Sequence, residues 1–293
     1  MSTKSPALNP QTIYAGIQDH YGSAAAANNS NSNEYGHTVA SAVGYTPSEL
    51  ATAPSESNLG LSCGNPFAIA NLREGETVVD LGSGAGFDVF QAAKKVGREG
   101  RVWGIDMNDD MLSRANAIKQ KIKAENTTFV KSKITNVESL EDTMSDCVIS
   151  NCVVNLVPEG EKQLAFNEMF RLLKPKGRVA MSDILIKKEL TDELKNNMAL
   201  YVGCVAGAST VEGYERYLRE AGFEDIMIVG DNSDLNVYNT ASVDGTEAGC
   251  CGPVSAKTTS CCGGKKTDGG DELLRDLDLN QWAGSFKIFA VKA

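Results

Sequence analysis

Hydrophobic and polar positions between residues 77 and 184 follow two alternating patterns, short apolar runs and 3.6-residue periodicity. The first pattern predicts strands over 77–81, 101–105, 128–131, 147–151 and 178–184. The second predicts helices over 88–96, 110–124 and 161–173. Strands that alternate with helices indicate an α/β fold built on a doubly wound, Rossmann-like parallel sheet.

The regions outside this core have different patterns. Residues 1–65 are rich in Ser, Ala and Asn, with a helical period only around 13–21. Helical periods return over 191–201 and 211–221, strand-like patterns occur over 225–229 and 235–238, and residues 285–291 predict an antiparallel edge strand. We therefore expect five regions: an N-terminal cover (1–65), a core (66–186), a small helical cap (187–240), a flexible Cys-rich loop (241–272) and a closing edge strand (273–293).

The length, hydrophobic content and net charge of the chain limit the kinds of protein it can be. The chain has 293 residues, 42% of them hydrophobic, which is enough for one substantial core. Its net charge of -10 would repel nucleic acid, and neither a membrane span nor a signal peptide is evident. We expect a cytoplasmic protein without nucleic-acid or membrane partners, whose eight cysteines stay largely reduced.

A glycine-rich turn follows the first predicted strand. Gly82, Gly84 and Gly86 allow a ligand to approach the backbone, and Asp106 ends the next apolar run, where its carboxylate can accept ribose hydroxyls. The spacing differs from the Gly-x-Gly-x-x-Gly of dinucleotide sites. Asp80 would repel a pyrophosphate but could accept a hydrogen bond from an ammonium group. These features favour S-adenosylmethionine, although any α/β protein can contain a strand–glycine–helix turn.

Three cysteines fall near the expected carboxyl edge of the sheet. Cys63 precedes the first strand, Cys152 follows the fourth, and Cys204 lies in a small-residue loop after a predicted helix. Structural zinc prefers four ligands in close Cys-x-x-Cys pairs, which are missing here. Trivalent arsenic takes three sulfurs and keeps a lone pair that can attack a sulfonium methyl group. The alternative is that these are small buried residues, which is our prediction for Cys147 inside the fourth strand.

Four further cysteines form two adjacent pairs in the predicted flexible loop. The pairs could bind arsenic or zinc, or could have no role in a mobile segment. They are Cys250, Cys251, Cys261 and Cys262.

The residues together identify a family: over nearly its whole length the chain resembles the arsenite S-adenosylmethionine methyltransferases. The most specific segment is Ser150-Asn151-Cys152-Val153-Val154-Asn155-Leu156-Val157-Pro158. Supporting segments are Glu34-Tyr35-Gly36, Leu61-Ser62-Cys63-Gly64, Asp80-Leu81-Gly82-Ser83-Gly84-Ala85-Gly86, Gly104-Ile105-Asp106-Met107 and Gly203-Cys204-Val205-Ala206-Gly207-Ala208.

The resemblance implies a class I methyltransferase sheet and a role in arsenic detoxification. It implies that Cys152 and Cys204 hold the arsenical throughout, with Cys63 as the third ligand for arsenite and a relay between steps. A thiol reductant, glutathione or thioredoxin, would be the co-substrate. The implied contacts to S-adenosylmethionine come from Tyr21, Gly22, Asp80, Gly82, Ser83, Gly84, Asp106, Met107, Ile134, Thr135 and Asn151.

One departure from the family concerns the N-terminal region. The family usually has a further cysteine after the Tyr-Gly motif, but residues 23–62 contain none. The C-terminal pairs could substitute for it, or the enzyme could act best on a monomethylated arsenical.

Two other functions stay open at the level of sequence. A methyltransferase for a small molecule such as a quinone would not use the cysteines, so its turnover would be cysteine-independent. A protein that only sequesters arsenic or metal would bind its ligand without producing S-adenosylhomocysteine.

Overall fold

Seven strands form a single mixed sheet in the structure, a computed structural model that describes residues 8–26, 30–240 and 278–293. Their order across the sheet is β3-β2-β1-β4-β5-β7-β6. The strands are β1 (Thr77–Leu81), β2 (Arg101–Asp106), β3 (Thr127–Lys131), β4 (Ser145–Asn151), β5 (Leu173–Ile186), β6 (Phe223–Gly230) and β7 (Ala283–Lys292). The predicted doubly wound α/β fold is confirmed.

The position of the C-terminal strand corrects one expectation. β7 is antiparallel, as predicted, but it pairs with both β5 and β6 and so lies inside the sheet. β6 forms the edge. Burial gives the reason: Ile288 and Ala290 of β7 are fully buried, whereas Met227 and Val229 of β6 are 43% and 49% exposed.

Helices cover both faces of the sheet and its carboxyl edge. They are α1 (Pro10–Ala26), α2 (Ser30–Ala42), α3 (Pro47–Thr52), α4 (Phe67–Ala70), α5 (Phe87–Val96), α6 (Asp109–Ile122), α7 (Lys162–Leu172), α8 (Asp192–Lys195), α9 (Met198–Val202), α10 (Val211–Ala221) and α11 (Val237–Thr240). The four predicted helices that correspond to α5, α6, α7 and α10 are confirmed.

Two predicted elements of the cap region are wrong in detail. The single helix expected over 191–201 is two short helices, because the Asn197 side chain accepts a hydrogen bond from Leu200 N at 3.1 Å and begins α9 anew. The strand-like segment 235–238 instead leads into α11. Leu235 and Tyr238 are both buried, and their three-residue spacing puts them on one face of a helical turn.

The N-terminal region is more helical than the sequence predicts. Only a short helix around 13–21 was expected, but α1, α2 and α3 occupy much of this region. Val39 and Ala40 of α2 are completely buried, and so is Val43 directly after it. Tertiary burial therefore stabilises a helix whose Ser- and Asn-rich composition has low helical propensity.

The core lies on both faces of the sheet, because successive strand residues point to opposite sides. In β1, Val78 belongs to one cluster, while Val79 and Leu81 belong to the other. Cys147 of β4 is fully buried, as predicted, and burial raises the pKa of its thiol to about 12. Within the described ranges, no helix has the length and apolar character that crossing a membrane requires.

Candidate active site

The glycine-rich turn connects β1 to α5 at the carboxyl edge of the sheet. Gly82, Gly84 and Gly86 have φ angles of 79°, 51° and 88°, in the region that favours glycine. A Cβ atom at Gly82 would collide with the side chain of Val153. The amides of Gly82 and Ser83 donate to the carbonyl of Ile105 at 2.8 and 2.9 Å, which ties the turn to β2.

Three carboxyl groups make the space beside this turn acidic. Burial raises the pKa of Asp80 well above its ordinary value, and nearby Asp88 and Asp106 raise it further. Burial also raises the pKa of Asp88 to about 6 and that of Asp106 above its usual range. Backbone amides hold Asp106 in place, since Gly84 N donates to Oδ2 at 2.8 Å and Asn108 N donates to Oδ1 at 2.9 Å. Such a site favours a ligand that carries positive charge.

A cavity opens above the turn and is lined by most of the predicted cofactor residues. They are Tyr21, Asp80, Gly82, Ser83, Gly84, Asp106, Met107, Ile134, Thr135 and Asn151. Gly22 instead lies against α6, where a Cβ atom would be 3.0 Å from Asp110 Oδ2. The structure thus brings together these sequence-selected residues, apart from Gly22.

The three selected cysteines converge beside this cavity. The Sγ atoms of Cys63, Cys152 and Cys204 lie within 4.8 Å of one another, and all three residues are buried. Cys152 itself forms part of the cavity wall. Among the described residues this is the only group of three or more potential metal ligands, and it contains no fourth ligand of the kind structural zinc requires.

Two of these cysteines depart from the expectation that the cysteines stay largely reduced. Cys63 and Cys152 form a disulfide, with their Cα atoms 5.4 Å apart. The proximity of the two thiols, separated by 89 residues in the chain, makes this bond possible. Cys204 is not part of this disulfide, and its thiol donates to the carbonyl oxygen of Cys152 at 2.9 Å.

Comparison with known proteins shows which protein family the chain belongs to. A family model described as a methyltransferase domain matches residues 72–222, just over half of the 293-residue chain. The chain belongs to the methyltransferase-domain family.

The most similar relatives of this methyltransferase-domain protein include two arsenite methyltransferases, so the resemblance seen in the sequence is confirmed. The protein from Halobacterium salinarum is 45% identical over 64% of this chain and 47% of its own length. The protein from Aquipseudomonas alcaligenes is 38% identical over 55% of this chain and 47% of its own. The chain therefore spans about half the length of these relatives.

A solved structure of a protein that methylates arsenic is also similar to this chain. It is an arsenic(III) S-adenosylmethionine methyltransferase from Chlamydomonas reinhardtii, 26% identical, with a TM-score of 0.54. The match covers 87% of this chain and 73% of that one.

Sequence reasoning missed part of the cavity wall of this methyltransferase-domain protein. Tyr14 and Ile17 line it together with Tyr21, because all three lie on one face of α1. The helical period around 13–21 contained that signal. Asn58 and Leu59 also line the cavity, but they lie in an irregular loop whose composition shows no comparable pattern.

The backbone at two of the cysteines is unusual. Cys152 and Cys204 have φ angles of 59° and 62°, a region that non-glycine residues rarely adopt. Holding each there costs on the order of 1–3 kcal/mol, and such residues cluster at functional sites. Cys152 N donates to the carbonyl of Ser182 and Cys204 N to that of Tyr201, both at 2.9 Å. The surrounding structure thus holds two thiols in strained positions.

The predicted C-terminal ligands Cys250, Cys251, Cys261 and Cys262 lie outside the described residues.

Proposed function

We propose that this protein transfers methyl groups from S-adenosylmethionine to trivalent arsenic bound by Cys63, Cys152 and Cys204. One observation carries the proposal: three buried sulfur atoms lie within 4.8 Å of one another, and Cys152 also lines the acidic cavity beside the glycine-rich turn. The arsenite methyltransferases among its relatives support the same substrate.

The residues of the cavity fit the methyl donor. Asp80 offers a buried carboxylate to an ammonium group, and the two oxygens of Asp106 keep acceptor capacity for ribose hydroxyls beyond their bonds to the amides of Gly84 and Asn108. Ser83 also lines the cavity, and its buried hydroxyl has no hydrogen-bond partner among the described residues. When bound, S-adenosylmethionine supplies an electrophilic methyl group on a sulfonium.

The thiols hold and orient the arsenical. In the reduced protein, three thiols replace the three hydroxyl groups of arsenous acid and release three waters. The arsenic would keep its lone pair and use it to form the new arsenic–carbon bond while the methyl–sulfur bond breaks in line, with S-adenosylhomocysteine leaving with that electron pair. No general base would be required. Fixing the nucleophile in line is worth about 7 to 11 kcal/mol in favourable cases.

A thiol reductant completes the proposed cycle. Forming the arsenic–carbon bond would oxidise arsenic by two electrons. Two of its three thiolates would then leave together as a disulfide, which breaks two arsenic–sulfur bonds and returns the two electrons. The methylated trivalent arsenic would stay on the third thiolate and take up a water with loss of a proton. The bond between Cys63 and Cys152 supports this step. Glutathione or thioredoxin would then restore the thiols, and we place the protein in the cytoplasm, where such reductants are abundant.

The test is methylation of arsenicals by the reduced 293-residue chain. Labelled S-adenosylmethionine is incubated with either arsenite or monomethylarsonous acid, and arsenic species are separated by chromatography. Cys152→Ser and Cys204→Ser should each lower label transfer about 100-fold or more, because each removes a positioning contact to the reacting atom. Cys147→Ala is the control, since Cys147 lies within β4 in the core and should leave transfer unchanged.

Two results would contradict the proposal. Transfer that survives both serine substitutions would favour methylation of another small molecule. Tight arsenic binding without S-adenosylhomocysteine would favour sequestration.

A further inference from the structure

Two asparagines flank the central cysteine in the segment Asn151-Cys152-Val153-Val154-Asn155. Each hydrogen-bonds to the loop of a different partner cysteine. We infer that Asn151 and Asn155 are positioning residues with separate tasks. Asn155 holds the Cys204 loop so that Cys152 and Cys204 form a two-thiol site. Asn151 holds the Cys63 loop so that Cys63 can act as the third thiol. The inference deepens the proposed function and rests on it.

Asn151 is the anchor of the Cys63 loop. Its Oδ1 accepts from Cys63 N at 3.1 Å, and its Nδ2 donates to the carbonyl of Gly64 at 2.9 Å, so one side-chain amide bonds to the backbone at both ends of the Cys63-Gly64 dipeptide. Nδ2 also lies 3.1 Å from Asp88 Oδ2 and 2.9 Å from the Tyr45 hydroxyl. These bonds join the Cys63 loop to β4 and α5.

Asn155 is the anchor of the Cys204 loop. It is completely buried, and its Nδ2 lies 3.2 Å from the Cys204 carbonyl, 2.5 Å from the Ile184 carbonyl and 2.8 Å from Asp183 Oδ1. Its Oδ1 accepts from the Tyr214 hydroxyl at 3.0 Å. Asn155 therefore joins the strained Cys204 backbone to β5 and α10.

The two anchors share no hydrogen-bond partner in these contacts. Asn151 bonds to residues that precede β1 or begin α5, and Asn155 bonds to residues of β5, α10 and the Cys204 loop. Removing one amide should therefore leave the bonds of the other in place. A substitution at Asn151 should therefore disturb only the position of Cys63, and a substitution at Asn155 only that of Cys204.

Because the two arsenicals bind different numbers of thiols, disturbing one anchor should affect their binding differently. Arsenous acid has three exchangeable hydroxyl groups and can bind all three thiols. Monomethylarsonous acid already carries one carbon and exchanges only two. A displaced Cys63 should thus weaken the binding of arsenite but not that of the monomethylated species, whereas a displaced Cys204 should weaken both.

Direct binding to the fully reduced protein, without S-adenosylmethionine, separates these effects. Isothermal titration calorimetry with arsenite and with monomethylarsonous acid gives both affinities. Asn151→Ala should raise the Kd for arsenite about tenfold and leave that for monomethylarsonous acid within about twofold, while Asn155→Ala should raise both about tenfold, the effect of roughly one lost hydrogen bond.

A matched control separates positioning from general destabilisation. Ser145 is also a buried side chain that donates to a carbonyl, that of Leu172 at 2.9 Å, but it lies at the opposite end of β4. Ser145→Ala should lower Tm without changing either Kd. If Asn155→Ala does not fold, Tyr214→Phe removes the hydroxyl that bonds to Asn155 Oδ1 and should weaken both affinities to a smaller extent.

The outcomes distinguish the two hypotheses. If Asn151→Ala changes both affinities equally, or if Ser145→Ala reproduces the selectivity, the assignment of separate tasks is wrong. If the wild-type protein binds neither arsenical, the proposed function itself fails.

Discussion

Buried acidic side chains near the site have pKa values far from those of free aspartate. Asp183 is fully buried, and burial raises the pKa of its carboxyl to about 7, even though Tyr214 donates to it at 2.8 Å. Lys162, also almost fully buried, lies near enough to oppose this rise. Asp183 therefore changes charge close to neutral pH, and the Asn155 side chain bonds both to Asp183 and to the Cys204 carbonyl.

This shift predicts how Asp183→Asn changes the pH dependence of stability. Because the folded-state pKa is about 7 and the ordinary value is 3.8, the folded protein binds more protons than the unfolded chain between these limits. The contribution of Asp183 to the free energy of unfolding is complete below the lower limit and is lost as the pH rises through the upper one. The loss has a slope of up to about 1.4 kcal/mol per pH unit.

The measurement compares urea unfolding of the wild type and Asp183→Asn across this range under reducing conditions. Asparagine does not titrate, so the stability advantage of the wild type should shrink as the pH rises from about 4 to about 7 and then level off. Parallel stability profiles for the two proteins would contradict the expectation.

At the scale of elements, the Cys63 loop packs directly on strand β5. A Cβ atom at Gly64 would lie 2.6 Å from Ser182 Cβ and 2.9 Å from Ser182 Oγ. The loop is further held by Ser285, which donates to the Cys63 carbonyl at 2.7 Å, and by Tyr238, which donates to the Ser62 carbonyl at 2.7 Å. The absence of a side chain at Gly64 thus sets how close Cys63 comes to the other thiols.

Gly64→Ala should therefore move Cys63 away from Cys152. Overpacking of this kind costs about 1–3 kcal/mol, and we expect the affinity of the reduced protein for arsenite to fall by about tenfold or more. The double variant Gly64→Ala/Ser182→Gly removes the colliding atoms and should recover most of that affinity. Arsenite titration of the single and double variants measures both effects. A double variant no better than Gly64→Ala would show that the collision is not the cause.

The helical character of α1 could be predicted in part from the sequence, but its position in the fold could not. The Tyr14 hydroxyl donates to Glu161 Oε2 at 2.6 Å, the Lys133 ammonium lies 3.9 Å from the centre of the Tyr14 ring, and the Tyr21 hydroxyl donates to the Val202 carbonyl at 2.9 Å. The helical period predicted part of α1, but these partners are at least 119 residues away along the chain. No local pattern could therefore indicate that α1 lies across the cavity.

At the scale of the whole molecule, the disulfide joins a loop before β1 to the end of β4 and occupies two of the three thiols. We expect the protein isolated without reductant to bind neither arsenite nor monomethylarsonous acid. Treatment with a thiol reductant should restore both. Cys63→Ser cannot form this bond and should bind monomethylarsonous acid through Cys152 and Cys204 without reductant. Calorimetry, with thiol alkylation and mass measurement to count free cysteines, tests this. Arsenical binding by the fully oxidised wild type would contradict it.

The sequence by itself determined the types of most core elements and the residues of the glycine-rich turn. These depend on local rules: the periodicity of apolar residues, the caps at helix ends and the freedom of Gly82, Gly84 and Gly86 to adopt positive φ. The parallel order of the strands then brought Asp80 and Asp106 to one edge.

Only the tertiary structure decided the relations between distant segments. It placed β7 inside the sheet, divided the helix expected over 191–201, and gave Asn151 and Asn155 their separate partners. Each outcome depends on burial or hydrogen bonding between residues far apart in the chain. Local sequence patterns do not encode which surfaces meet, because that choice is made by the packing of the whole molecule.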